Sequence, residues 1–299
     1  MPELPEAETI VRGLRLTIPG KRIERVLVLK PDILRQPGPE FRARLRGRTV
    51  ESVERRAKNI VIGLDAGVVL VVNLGMTGRL RPFPRPPRGP ARPSHPAVRF
   101  ALSGGGVLFY DDVRRFGRVE ALTVAEWTTR SAGFGPEPLE SSYTAEELHQ
   151  ACLKSRSPIR SWLLDQKRIA GVGNIYANEA LFLAGVRPDR PARTLVYREA
   201  QTLLGSLREV LERAIAAGGT TLRDYRDSSG REGSFGRELS VYGRENEPCR
   251  NCGAGIERIV ISNRSAFLCA TCQPEETIGS SVPDDKRRRP LQTPRIGEF

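Results

Sequence analysis

The first residues of the chain have the types and spacing for covalent chemistry. The sequence opens MPELPEAETI, and removal of Met1 leaves Pro2 with its ring nitrogen as the α-amine, followed by Glu3 and Glu6 within one helical turn. An α-amine titrates near 7.7–8.0, against about 10.4 for lysine. Its neutral, nucleophilic fraction at pH 7 is therefore on the order of a few hundredfold larger. An amine beside a positioned carboxylate is the pair that Schiff-base formation on a sugar aldehyde requires. A plainer reading stands beside it: Pro and Glu both favour first turns, so PELPEAE can simply start a helix.

The other end carries a second set. Cys249, Cys252, Cys269 and Cys272 form C-x2-C-x16-C-x2-C, the spacing of a zinc site on two knuckles. Four thiolates fill a tetrahedral sphere, so the expectation is one structural Zn2+ and no organic cofactor. Arg258 and Arg264 lie on the intervening hairpin, within reach of phosphates or a minor groove.

Between these ends, Lys58 in RRAKNIV, Met76 in NLGMTGRL, and Arg114 and Phe116 in DDVRRFGR fall at strand ends and turns. A Met, an Arg and a Phe on loops can fill the space left by an extruded base. They read equally well as a core Met and Phe with a surface Arg. In KRIAGVGNIYANE, Gly171 and Gly173 make a tight turn and Asn174 is expected to cap the following helix. The exposed N–H groups there suit phosphate, although an ordinary helix–turn–helix pair looks the same.

Periodicity supplies the elements that position these residues. Residues 3–17 read as a helix with Ile10, Val11, Leu14 and Leu16 on its apolar side. RIERVLVL, TVESVERRA, NIVIGL, VVLVVNLG, AVRFAL and GVLFYDD read as strands of a sandwich or flattened barrel. RPFPRPPRGPARPSHP, with seven prolines and four arginines, reads as a loop, not a strand. AEELHQACL, SPIRSWLLDQ, NIYANEALFLAGV and TLVYREAQTLLGSLREVLERAIAAG read as helices. TTLRDYRDSSGREGSFGRELSVYGRE reads as a long mobile loop.

The division that follows is 1–124, a linker at 125–144, a helical domain at 145–244, a zinc finger at 245–273 and a disordered tail at 274–299 with the basic run Lys286 to Arg289. A formal net charge of +13 favours a polyanionic partner. With no run of eighteen apolar residues and no signal-peptide core, the chain reads as cytosolic and without a membrane partner. Four paired cysteines with Cys152 alone are unlike an extracellular disulfide framework.

Taken together, MPELPEAETI, RRAKNIV, NLGMTGRL, DDVRRFG, LLDQKRIAGVGNIYANE, TTLRDYRD…ELSVYGRE and the cysteine ribbon resemble the formamidopyrimidine-DNA glycosylase family over residues 2–273. The resemblance implies an α+β protein: an N-terminal β-sandwich with flanking helices, then a helix–two-turn–helix domain and a zinc ribbon, with DNA in the cleft. It implies a monomeric, nucleoid-associated bifunctional glycosylase and AP lyase acting on double-stranded DNA with damaged bases or abasic sites. Oxidised purines would be expelled and the strand cut by β,δ-elimination.

By position, the resemblance makes Pro2 the nucleophile, Glu3 the proton donor and Lys58 a proton-transfer and phosphate residue. Glu6, Thr221 and Tyr225 fall in the lesion pocket. Met76, Arg114 and Phe116 become the intercalating trio, and Asn174 and Arg264 grip phosphates. Asn73 stands where the family commonly has His before LGM, His95 remains alone near the Pro-rich segment, and the loop interior SSGREGSF is this chain's own. The alternatives are an oxidised-pyrimidine glycosylase of the sister, endonuclease VIII-type family, which usually begins PEGPE, or a damage-binding protein without catalysis.

Overall fold

A computed structural model describes residues 2–275. Of the expected tail, residues 276–299, Lys286 to Arg289 included, lie outside the described residues.

The N-terminal half is two antiparallel four-stranded sheets packed face to face. Its strands are β1 (Ile23–Val28), β2 (Val50–Arg56), β3 (Asn59–Leu64), β4 (Val68–Asn73), β5 (Gly78–Phe83), β6 (Pro96–Leu102), β7 (Val107–Asp112) and β8 (Arg118–Thr123), ordered β1-β6-β7-β5 and β2-β3-β4-β8. Helix α1 (Leu4–Arg15) packs Ile10, Val11 and Leu14 onto the sandwich core, and α2 (Gly38–Leu45) adds Phe41 and Leu45. β3 and β4 are buried on both faces, because Leu122 and Trp127, the latter on α3 (Val124–Ser131), cover Val61, Val69 and Val71. This explains their unbroken apolar runs.

Four elements depart from the expectation. β5, β8, α2 and α3 lie in stretches whose apolar pattern is too weak or too short to announce them. Arg81–Phe83 of the Pro-rich segment end β5, and Pro96 opens β6. β5 is an edge strand, where Pro82 removes no ladder donor that a neighbour needs. Leu16 is 87% exposed, since α1 stops at Arg15 before its turn reaches the core.

The C-terminal half holds α4 (Ala145–Leu153), α5 (Ile159–Leu164), α6 (Asn174–Ala184) and the amphipathic α7 (Tyr197–Ala216). α6 is buried nearly all round and ends at Gly185, whose φ of 70° is the left-handed cap glycine tolerates. The ribbon hairpin, β9 (Glu257–Ile261) and β10 (Arg264–Leu268), turns through Ser262 and Asn263, both at positive φ.

Each half lends a side chain to the other's core. Leu4 of α1 is buried among the helices, and Tyr225 of the long loop is buried among the strands. The first exchange requires glycine at 171. Its φ is +81°, its carbonyl accepts from Leu4 N at 3.0 Å, and an added Cβ would stand 2.7 Å from Leu4 Cδ1. The seam between the halves is therefore a packed joint built on the first turn of α1.

Candidate active site and nucleic-acid interface

The first turn of α1 inserts two buried carboxylates into that seam. Glu3 and Glu6 are 2% and 1% exposed, and Pro2 is buried beside them. Glu6 folds back on its own helix, accepting from Glu3 N at 2.7 Å, the N3-to-N-cap half of a capping box. Its other oxygen accepts from Tyr176 Oη at 2.5 Å and from Thr220 N at 2.7 Å. Glu3 reaches across to α6 and accepts from Ile175 N at 3.0 Å and Tyr176 N at 3.5 Å. A carboxylate at a helix N-terminus meets unsatisfied donors and the positive end of the dipole.

This corrects the expected cap. Gly173, not Asn174, occupies the N-cap position of α6, and Glu3 from the other half satisfies the donors that a capping side chain would have taken. Gly173 is what lets it approach, because a Cβ there would lie 2.2 Å from the Glu3 carboxyl carbon.

Lys58 sits half-buried in the two-residue turn between β2 and β3. Ala57 precedes it at a φ of 55°, a conformation costly for a residue with a Cβ. The turn is held from the linker: Ala57 N donates to Glu137 Oε1 at 2.7 Å, and Glu137 is ion-paired to Arg55 at 2.6 Å and Arg56 at 2.9 Å. Burial is the main cause that raises the Glu3 carboxyl above its ordinary value; the nearby Lys58 opposes it and Glu6 adds to it. Burial likewise lowers the Lys58 ammonium, against the pull of Glu3 and Glu6 and with the push of Arg264. An acid raised and an amine lowered within each other's field are brought closer in proton affinity, as proton transfer between them requires. A cavity of about 380 Å³ opens beside Lys58, lined also by Asn59, Asn73, Phe116, Arg118 and Gln166 among others.

Met76, Arg114 and Phe116 come together at the sandwich edge. Met76 is 37% and Phe116 54% exposed, and the Arg114 guanidinium stacks 4.6 Å from the Phe116 ring centroid. The two loops touch where Gly75 packs on the Phe116 carbonyl. Buried Asp112 ties them, accepting from Thr77 Oγ1 at 2.5 Å and Gly117 N at 2.9 Å, while Thr77 Oγ1 accepts from Arg114 N at 3.0 Å. Met76 and Phe116 are therefore not core residues, while Arg114 lies on the surface, as the plainer reading also had it. Asn73 donates to Asn59 Oδ1 and accepts from Gly75 N, each at 3.1 Å, so it braces the Met76 loop.

The expected pocket residues are joined through backbone carbonyls rather than through the Glu6 carboxylate. Thr221 spends its hydroxyl inside the loop, donating to Tyr225 O at 3.0 Å and accepting from Gly233 N at 2.9 Å. Tyr225 is buried against α1, its hydroxyl donating to Glu6 O at 3.4 Å. Besides Glu3 N, the groups that donate to the Glu6 carboxylate are Thr220 N and the Tyr176 hydroxyl, residues to which the sequence gave no role. Burial, then Glu6, raises the Tyr176 phenol, so it stays a donor to that carboxylate. Its position three residues after Gly173 was the available signal, since that places it on the first turn facing α1.

Asn174 opens α6 beside the ribbon, and Arg264 is exposed at the start of β10. The sulfur atoms of Cys249, Cys252, Cys269 and Cys272 all lie within 4.8 Å of one another. Tetrahedral Zn–S bonds of about 2.3 Å put sulfurs about 3.8 Å apart. The Cys249–Cys272 and Cys252–Cys269 separations of 3.9 and 3.4 Å fit that ion.

A sandwich and a helical lobe joined by an acidic N-terminal turn, with a cation-lined seam and a four-thiolate ribbon, define a class of two-lobed zinc-ribbon proteins. Residues 1–119 match the family profile described as formamidopyrimidine-DNA glycosylase N-terminal domain, 134–226 the formamidopyrimidine-DNA glycosylase H2TH domain, and 246–274 the zinc finger found in FPG and IleRS. Formamidopyrimidine-DNA glycosylase of Photorhabdus laumondii is 44% identical over 273 residues, covering 91% of this chain and 100% of its own. The MutM (FPG) protein of Thermus thermophilus superposes with a TM-score of 0.81 at 39% identity, over 92% of this chain and 100% of that one. Lactococcus lactis Fpg in complex with abasic-site DNA superposes at 0.84 and 31% identity, over 91% and 100%. The chain belongs to the formamidopyrimidine-DNA glycosylase family, and its four cysteines form the site of one structural zinc.

Proposed function

We propose that this protein is a bifunctional DNA glycosylase and AP lyase that excises oxidised purines, 8-oxoguanine and formamidopyrimidines, from double-stranded DNA. The observation that carries this reading is the Glu3 carboxylate, raised by burial, held on the α6 N-terminus next to Lys58 and directly after Pro2.

With Met1 removed, the Pro2 nitrogen attacks C1′ of the flipped nucleotide; the base departs with the electrons of its glycosidic bond and takes up a proton, and the new C1′ ammonium gives up its N–H proton. Glu3 gives its proton to the sugar ring oxygen as the ring opens, leaving an iminium on Pro2. That cation accepts the electron pair released when the C2′ proton is removed, and the 3′ phosphate leaves; a second elimination expels the 5′ phosphate. Once the secondary amine has given up its one N–H proton, the iminium has no proton left to lose and stays cationic, and no metal-activated water is needed. Glu6, tied to Tyr176 and Thr220, fixes the turn that aims Pro2 and Glu3. Lys58 shuttles a proton and meets a phosphate. Thr221 and Tyr225 shape the lesion pocket by setting the loop rather than by touching the Glu6 carboxylate.

Met76, Arg114 and Phe116 fill the vacated stack, and Asn174 with Arg264 grips the backbone. Residues 1–124 carry the chemistry, 145–244 and 245–273 the DNA grip, and 125–144 joins them. The setting that fits is the cytoplasm, on the nucleoid, as a monomer.

Borohydride trapping tests the reading. Mature protein with a duplex holding 8-oxoguanine opposite cytosine is expected to give a covalent adduct that maps to Pro2, while Met1-retaining protein gives none. An adduct only with an oxidised-pyrimidine duplex would move the protein to the sister family's specificity. Binding without any adduct would leave a damage-binding protein.

A further inference from the structure

Arg160, on α5, is fully buried. Its guanidinium meets no carboxylate among the described residues. Instead Nη2 donates to Asn174 Oδ1 at 2.5 Å and to Ser265 O at 2.7 Å. Nε donates to Asn174 Oδ1 at 3.2 Å, and Nη1 to Ile261 O at 3.3 Å. One side chain thus joins α5, the first residue of α6 and both strands of the zinc-ribbon hairpin. The contacts around it run the same way: Asn174 Nδ2 donates to Ser265 O at 3.2 Å, Asn178 Nδ2 to Asn174 Oδ1 at 3.1 Å, and Phe267 N to Asn178 Oδ1 at 2.8 Å.

Burial, with nearby Arg264 adding to it, lowers the Arg160 guanidinium to about 10, which leaves it charged at neutral pH. A buried cation with only carbonyl partners is expensive, and an apolar side chain of the same volume would pack more cheaply. What the planar fork supplies is direction: it reads three oxygens on α6, β9 and β10 at fixed angles, which a single ammonium does not.

We propose that Arg160 is a positioning residue that locks the ribbon hairpin onto the first turn of α6, so that Asn174 and Arg264 form one clamp for a DNA phosphate whose charge supplies the counter-ion Arg160 lacks. The inference rests on the reading of Asn174 and Arg264 as phosphate ligands.

The test uses zinc-loaded, full-length protein and a duplex with a tetrahydrofuran abasic analogue, with binding measured across a salt series. Arg160→Met is expected to keep one zinc per chain and to weaken binding about tenfold. It should also flatten the slope of log affinity against log salt by about one, the value of one lost phosphate contact. A role confined to stability would lower the melting temperature and leave that slope alone. The double variant Arg160→Met/Arg264→Ala is expected to bind no more weakly than Arg264→Ala by itself. Arg160→Lys, which keeps the charge and loses the fork, carries the same comparison should the Met variant fold poorly. Additive losses, or a wild-type slope in the Arg160 variants, overturn the proposal. Wild-type binding by Arg264→Ala removes the clamp itself, and that single variant tells the two failures apart.

Discussion

Two buried charges flank the first turn of α6 and are held in opposite ways. Glu3 comes from the sandwich half, takes backbone N–H donors of Ile175 and Tyr176, and lies near Lys58. Arg160 comes from the helical half and is met only by oxygens of Asn174, Ile261 and Ser265. Glu3 therefore has a partner with which to exchange a proton, whereas Arg160 has only geometry to hold. On the proposed function, chemistry lies on one side of the turn and DNA grip on the other, with the helix terminus between them.

The sharpest way to break this comparison is Glu3→Gln. Loss of a positioned general acid costs about 10²–10⁴-fold in rate, so single-turnover base release should fall by that order. The fold should move the other way. Because burial raises the carboxyl in the folded state, its ionised form costs stability, and that cost is absent at low pH and accrues as pH rises through the raised value. The variant should therefore melt higher than the parent, with the difference growing as pH rises above the ordinary carboxylate range toward and through the raised value; an equal or shrinking difference would refute the assignment.

Removing zinc attacks the other side alone. A structural site couples binding to folding, so chelation should unfold the ribbon and weaken DNA binding with a flatter salt dependence. The sandwich, whose core shares no residue with the ribbon cluster, should keep its melting transition. Loss of both transitions together would show that the two sides are not separable.

Gly173→Ala gives the smallest effect and probes the shared terminus. The added Cβ, 2.2 Å from the Glu3 carboxyl carbon, should displace that side chain and cost about 1–3 kcal/mol of stability by overpacking. Denaturant melts should show the loss, and base release should fall further than DNA binding.

Much of this arrangement was legible beforehand. The cysteine spacing, the PELPE start and the loop positions of Met76, Arg114 and Phe116 announced themselves, because ligand number and local turn chemistry are properties of short stretches. Strongly periodic helices were equally visible: Ala145–Leu153 begins and ends where its pattern does. Short elements such as Gly38–Leu45 and Arg118–Thr123 were not, since their formation depends on the sandwich they close.

Sequence by itself determined the zinc ligands and which groups are candidates for reaction, because residue type sets pKa range, nucleophilicity and ligand count. Tertiary structure alone decided which carboxylate caps α6, that Tyr176 and Thr220 rather than Thr221 hold Glu6, and that Glu137 of the linker holds the turn bearing Lys58. Those contacts join residues 80 to 214 positions apart. Burial at such contacts, which no local pattern encodes, is what shifts the acid and the amine toward each other.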